Sequence, residues 1–187
     1  MRYATTAVLG AALFVTGCQT VSYQGNENSP YYVVPAGSRL VLEHEITIPG
    51  DRAAVYIQGG QLRSYWDVNP YYPYCKFEVR SPRDTVQKIQ PDDFAVTRAF
   101  QETPPVVRAE PQRPDASARL VRVSSLDSDG GISATVFATT MWLRSDRQPD
   151  VSRMTCAQWG YPPLDGHLSI AQIRKTLAGV VTLKVAR

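Results

Sequence analysis

Downstream of residue 30, apolar and polar positions alternate with a period of two over much of the chain, as in strands that lay one face on a core. At 39–48, Leu40, Leu42, His44, Ile46 and Ile48 share one face, and Val41, Glu43, Glu45 and Thr47 share the other. Pro49-Gly50-Asp51 predicts a turn. A second strand is expected at 53–58, where Val55 and Ile57 alternate with Ala54 and Tyr56. These two strands are expected to pair as a hairpin. Gly59-Gly60 ends the second, and 61–66 reads as a third. At 75–80, Cys75, Phe77 and Val79 are expected inward, with Lys76, Glu78 and Arg80 outward. A further strand at 94–100 sets Phe94, Val96 and Phe100 on one side.

The pattern breaks at 102–117. Pro104, Pro105, Pro111 and Pro114 remove backbone donors and fix φ, so an extended surface loop is expected. Strand character returns at 118–124. Asp127-Ser128-Asp129-Gly130-Gly131 is a turn without the closing Glu and other ligand positions of a calcium loop. A long β-branched and aromatic run follows at 132–143, and 118–143 reads as one hairpin. The period changes to that of a helix only near the end. Ser169 with Gln172 makes a capping box, and Leu168 is placed to staple onto Ile173. Ile170, Ile173 and Leu177 form a stripe, Arg174 and Lys175 suit the last turn, and Gly179 stops it. The expected helix spans about 169–178, and 180–185 is a closing strand. The fold class is therefore mainly β (α+β): an antiparallel sheet, or a small open barrel or sandwich, with one C-terminal helix and a final strand.

The first eighteen residues follow another rule. Arg2 is a short positive start, and 7–15 is an apolar run too short to span a bilayer, which takes roughly 20 residues. Val15-Thr16-Gly17-Cys18 ends it. This segment resembles the lipobox of bacterial lipoproteins. The resemblance implies that 1–17 is a signal peptide and that Cys18 becomes the lipid-bearing first residue, carrying palmitate-type acyl chains. In such proteins Asp after the Cys usually means inner-membrane retention, so Gln19 implies an outer-membrane anchor facing the periplasm. Residues 18–30, rich in Gln, Asn, Ser and Gly, read as the lipidated Cys and a flexible tether. Residues 31–187 read as a single β-rich domain, similar in kind to other β-rich envelope lipoproteins of Gram-negative bacteria.

Composition narrows the chemistry. The 187 residues carry 20 basic against 17 acidic side chains with no basic run, which gives no nucleic-acid footprint. With Cys18 assigned to lipid, Cys75 and Cys156 remain as an even pair, and in an oxidising compartment an even pair predicts a disulfide. His44 and His167 have no ligand spacing, so no metal or cofactor is expected. His44 lies among Leu and Ile in its strand and reads as a core or half-buried histidine; His167 precedes the helix and reads as a cap or a solvent contact. Glu43 and Glu45 share a strand face without a cleft. With no nucleophile elbow or phosphate loop, no catalytic residue is assigned and an enzyme is not expected.

The densest unusual composition is 65–75, with Tyr65, Trp66, Tyr71, Tyr72 and Tyr74 among prolines, followed by 156–163, with Trp159 and Tyr161. A bridge between Cys75 and Cys156 would bring these segments together. Either the rings fill the core around the bridge, the commoner fate of Trp and Tyr, or they form a platform on which sugars stack while Asp67, Asn69 and Gln158 orient hydroxyls. The leading expectation is a non-enzymatic domain that contacts another envelope component, protein or glycan. The alternative is a glycan or small-ligand binding module using the aromatic cluster, and the third reading is an envelope hydrolase.

Overall fold

The computed structural model describes residues 25–104 and 134–186. The lipobox with Cys18, the proline-rich loop from Pro105 onward, the strand expected at 118–124 and the turn at 127–131 lie outside the described residues. The remainder is mainly β. Ten strands and one helix follow the chain as β1 (Arg39–Leu42), β2 (Ile46–Ile48), β3 (Ala54–Gln58), β4 (Gln61–Arg63), β5 (Tyr74–Val79), β6 (Gln87–Ile89), β7 (Asp92–Glu102), β8 (Thr135–Arg144), β9 (Val151–Gly160), α1 (Ile170–Leu177) and β10 (Val181–Lys184). Eight form one antiparallel sheet in the order β10-β1-β7-β8-β9-β5-β3-β4, and β2 pairs with β6 beside it. The large sheet curls as a half-barrel.

Alternation sorts the side chains. Leu40, Ile57, Phe77, Phe94, Met141 and Met154 all face inward and are fully buried. Phe77 and Phe94 meet edge to face, with ring centroids 5.7 Å apart. Helix α1 lies against this apolar face, touching β10 at one end of the strand order and β5 and β3 towards the other. The sheet thus curls around the helix. The capping box forms as expected: the Gln172 amide N–H donates to Ser169 Oγ at 3.3 Å, and the Ser169 N–H donates to Gln172 Oε1 at 2.9 Å. Ile170, Ile173 and Leu177 are fully buried, and each burial is worth roughly 1.5–3 kcal/mol. Gly179 follows with φ of 80°, a conformation in which a Cβ is costly.

Several expectations are corrected. The run at 39–48 is two strands, because the chain leaves the large sheet at Glu43. His44 is exposed in that break and is not a core residue. The first two expected strands do not pair: β1 lies between β10 and β7, while β3 makes its hairpin with β4 through Gly59-Gly60, at φ of 60° and 76°. The expected third strand ends at Arg63, and Tyr65–Asp67 is a single 3-10 turn. Phe100 does not share a face with Phe94 and Val96. The β7–β8 register slips by one residue between Val96 and Arg98, and this bulge at Thr97 turns Phe100 outward and brings Ala99 to the core. Glu78 faces away from the core as its parity requires, yet it is buried. Of the hairpin expected at 118–143, the first arm lies outside the described residues, and the second, β8, is found between β7 and β9.

Within the segment read as a tether, Glu27 is packed. Its carbonyl accepts the Ile170 N–H at 2.9 Å and its carboxylate pairs with Arg174. The described chain is therefore docked on α1 ahead of Tyr31. No helix among the described residues is long and apolar enough to cross a membrane.

Candidate functional site

Parity decides which side chains build the site. Cys75 and Cys156 are direct cross-strand partners in β5 and β9. They form a disulfide with Cα atoms 4.0 Å apart, and both are fully buried in the core. Their chain neighbours must point the other way, so Tyr74, Lys76, Thr155 and Ala157 lie on the outer face. The bridge fixes two central strands from the core side, and the aromatic segments sit behind it. The expectation that the rings pack around the disulfide is therefore corrected.

The aromatic loop is held by one amide. Gln58, at the end of β3, donates through Nε2 to the carbonyls of Asn69 at 2.8 Å and Tyr72 at 3.2 Å, and accepts the Asn69 N–H through Oε1 at 3.1 Å. The Pro70 carbonyl accepts the Trp159 N–H at 2.7 Å, which ties the loop to β9. Within the loop, Ser64 Oγ donates to Asp67 Oδ2 at 2.7 Å and the Tyr71 N–H donates to Asn69 Oδ1 at 3.1 Å. Gln158 Nε2 donates to the Gly166 carbonyl at 3.0 Å. Asp67, Asn69 and Gln158, expected to orient ligand hydroxyls, are thus engaged in holding the loops.

On this frame stand two ring clusters. Tyr56 of β3 has Tyr65 at 5.8 Å and Tyr74 at 6.2 Å, and Tyr65 meets Trp66 edge-on at 5.0 Å. Burial, reinforced by Tyr74, Tyr65 and Glu78, pushes the Tyr56 phenol up to about 12. Burial, reinforced by Tyr65, also raises Tyr74. Both hydroxyls therefore stay protonated at neutral pH and able to donate. In the second cluster Tyr71 stands edge-on to Trp159 at 5.6 Å and stacks on Tyr161 at 6.4 Å.

Below the rings lies an ion cluster. Glu78 on β5 takes a forked contact from Arg153 on β9, Nε to Oε2 at 2.7 Å and Nη2 to Oε1 at 3.2 Å, and Lys76 Nζ reaches Oε1 at 2.7 Å. Burial alone would raise its pKa, but the hydrogen bonds from Arg153 and Lys76 outweigh it, and the carboxyl ends below the ordinary value. Arg153 also lies over the Trp142 ring at 5.6 Å. Thr140 Oγ1 is 3.2 Å from Thr155 Oγ1 and 3.4 Å from Glu102 Oε1.

Two adjoining cavities share the wall formed by Tyr56, Tyr65, Trp66 and Lys76. The larger, of 560 Å³, crosses the outer face of β5, β9 and β8; Glu78, Arg153, Thr140 and Thr155 line it, with Tyr74, Trp159, Val68 and Pro70 at its sides. The other, of 540 Å³, lies against β3 and β4 and is lined by Asp51, Arg52, Leu62, Arg63 and Ser64. Of the rings read from the sequence, Tyr65, Trp66, Tyr74 and Trp159 line these cavities. Tyr71 and Tyr161 stand behind Trp159, and Tyr72, 64% exposed, lines neither cavity. Tyr56, Glu78, Arg153, Arg52 and Arg63 complete the site and were not assigned to it from sequence. The outward parity of Tyr56 and Glu78 was the available signal.

The two histidines are elsewhere. His44 is exposed, and His167 sits edge-on to Phe137 at 5.5 Å, its pKa lowered by burial against a hydrogen bond to the Ala138 backbone. Among the described residues no group of three or more His, Cys, Asp or Glu is placed to hold a metal. Comparison with protein-family models, with curated proteins and with solved structures finds no match to this chain.

Proposed function

We propose that this chain is an exported lipoprotein, anchored through Cys18 in the outer membrane and facing the periplasm, whose β-domain binds glycan across its outer face. The observation that carries the binding reading is the exposure of ring faces beside a polar cleft. Trp66 is 80% exposed and Tyr65 57%, although the loop that presents them is tied down by Gln58 and by the prolines. An exposed ring held rigid pays little ordering cost on binding. Its face meets the C–H surface of a sugar, while the flanking phenol, hydroxyl and charged groups match sugar hydroxyls. Contact with a protein of the envelope is the second reading, favoured by Tyr72 and Leu164, exposed away from the cleft lining. The hydrolase reading draws no support from the site: among the described residues neither His44 nor His167 meets a nucleophile.

The test is a pull-down of the full chain in detergent on insoluble polysaccharides, with Trp66→Ala beside it. Retention of the parent and release of the variant support the glycan reading. Equal retention of both, or of neither, overturns it.

A further inference from the structure

The charge of the smaller cavity says what kind of glycan fits. Most arginines in the described residues have a carboxylate: Arg39, Arg83, Arg144, Arg147, Arg153 and Arg174 are all in ion pairs. Arg52, Arg63, Arg80 and Arg98 are not; Arg98 lies over the Phe100 ring, and Arg52 and Arg63 both line the cavity against β3 and β4. Arg63 reaches only the amide oxygen of Gln61, at 2.7 Å. Lys76, at the wall shared with the neighbouring cavity, is held by Glu78, and Asp51 is the one acid in the lining. The larger cavity differs, because there Lys76 and Arg153 are already matched by Glu78. The cleft is therefore polarised, with open cations at one end, exposed rings in the middle and compensated charge at the other.

We propose that the cleft takes an anionic oligosaccharide, with a carboxylate-bearing sugar seated between Arg52 and Arg63 and the following ring laid on Trp66. This rests on the glycan reading above and adds the charge and the direction. A carboxylate suits this end because guanidinium groups pair with it through parallel hydrogen bonds. A sugar chain suits the middle better than a peptide does. Strands β3, β5, β8 and β9 under the rings are each hydrogen-bonded on both sides, and the free edge on this side of the sheet is the three-residue β4 at the arginine end, so no free edge is offered under the rings to a peptide backbone.

The test is calorimetric titration of the full chain in detergent with tetragalacturonate, its methyl ester and tetraglutamate. The acid form should bind about tenfold or more tightly than the ester, as expected for two charge-assisted contacts. Arg52→Gln/Arg63→Gln should bring the acid down to the ester's affinity and leave the ester unchanged, Arg52→Lys/Arg63→Lys should retain part of the preference, and Trp66→Ala should weaken both sugars. Both arginines are exposed, so an unchanged melting temperature is expected and checks the fold of each variant. Equal binding of acid and ester overturns the anionic inference and leaves the glycan reading standing. Binding of neither sugar overturns both, and tetraglutamate binding as tightly as the uronate assigns the cleft to acidic peptide and overturns the proposal.

Discussion

A carboxylate withdrawn from water requires donors, and the two buried ones among the described residues obtain them differently. Glu78 faces Arg153 and Lys76 across neighbouring strands. Asp92 accepts from Ser145 Oγ at 2.6 Å, from Gln148 Nε2 at 3.1 Å and from Arg147. Burial pushes the Asp92 pKa up, but these three side chains and the Asp93 N–H hold it well below the usual carboxylate range. A folded pKa below the unfolded value means that stability is fully present above about pH 4 and is lost as pH falls further. Asp92→Asn should therefore flatten the acid limb of the stability curve. It should cost about 1–3 kcal/mol at neutral pH, because a hydrogen-bonded charge is replaced by a poorer acceptor. Urea melts from pH 2 to 7 measure both effects, and an unchanged acid limb would count against the assignment. Glu78→Gln carries a second consequence, since it leaves Arg153 and Lys76 without their counter-charge in the cleft. Neither carboxylate was legible as buried in the sequence. Strand parity sends Glu78 away from the core, and nothing in the pattern says that a loop from 65–73 stands over that face.

At the scale of elements, short-range chemistry was readable and pairing was not. The α1 cap, its stripe and its Gly179 stop are all written within about ten residues, and the helix forms where they place it. The alternation in β3 and β5 also holds. What failed was the partner of the first strand: β1 pairs with β10 from the far end of the chain, and no local signal marks that. The single residue at Thr97 that shifts the β7–β8 register is equally silent. The aromatic loop was noticed for its composition, but its anchor, Gln58, is an ordinary residue before a Gly-Gly turn. Replacing Gln58 by Ala leaves the Asn69 and Tyr72 carbonyls and the Asn69 N–H without their partner, so a loss of about 1–2 kcal/mol is expected. Proteolysis should then begin at 64–73. The same frame separates two tryptophans. Trp66 is exposed and its change to Ala should leave stability within about 0.5 kcal/mol. Trp159 is half-buried and braced by Tyr71, so Trp159→Ala should cost roughly 1–3 kcal/mol. Thermal melts of the pair check the order, and a more damaging Trp66 change would reverse the description of the cleft.

For the whole molecule, two cysteine positions carry different burdens. The Cys75–Cys156 bridge closes a sequence separation of 81 residues, and chain-entropy reasoning assigns such a loop roughly 4–5 kcal/mol at most. Its pairing was legible from an even count after export, although its place behind the rings was not. Under the lipoprotein proposal, Cys18 sets where the domain works. With Glu27 docked on α1, the chain between Cys18 and Gly25 spans at most about 25 Å. An anchor at Cys18 would thus hold the domain close to the bilayer and limit it to ligands within that reach. A single acyl chain binds a membrane only marginally and two or more hold it stably. If Cys18 is the attachment point, Cys18→Ser removes all of them at once. The variant should incorporate no labelled palmitate and should leave the membrane fraction as soluble or uncleaved chain. Its β-domain should melt at the parent's temperature. Labelling and membrane partition equal to the parent would sink the anchor, and with it the envelope placement, while leaving the cleft and its charge to be tested on their own.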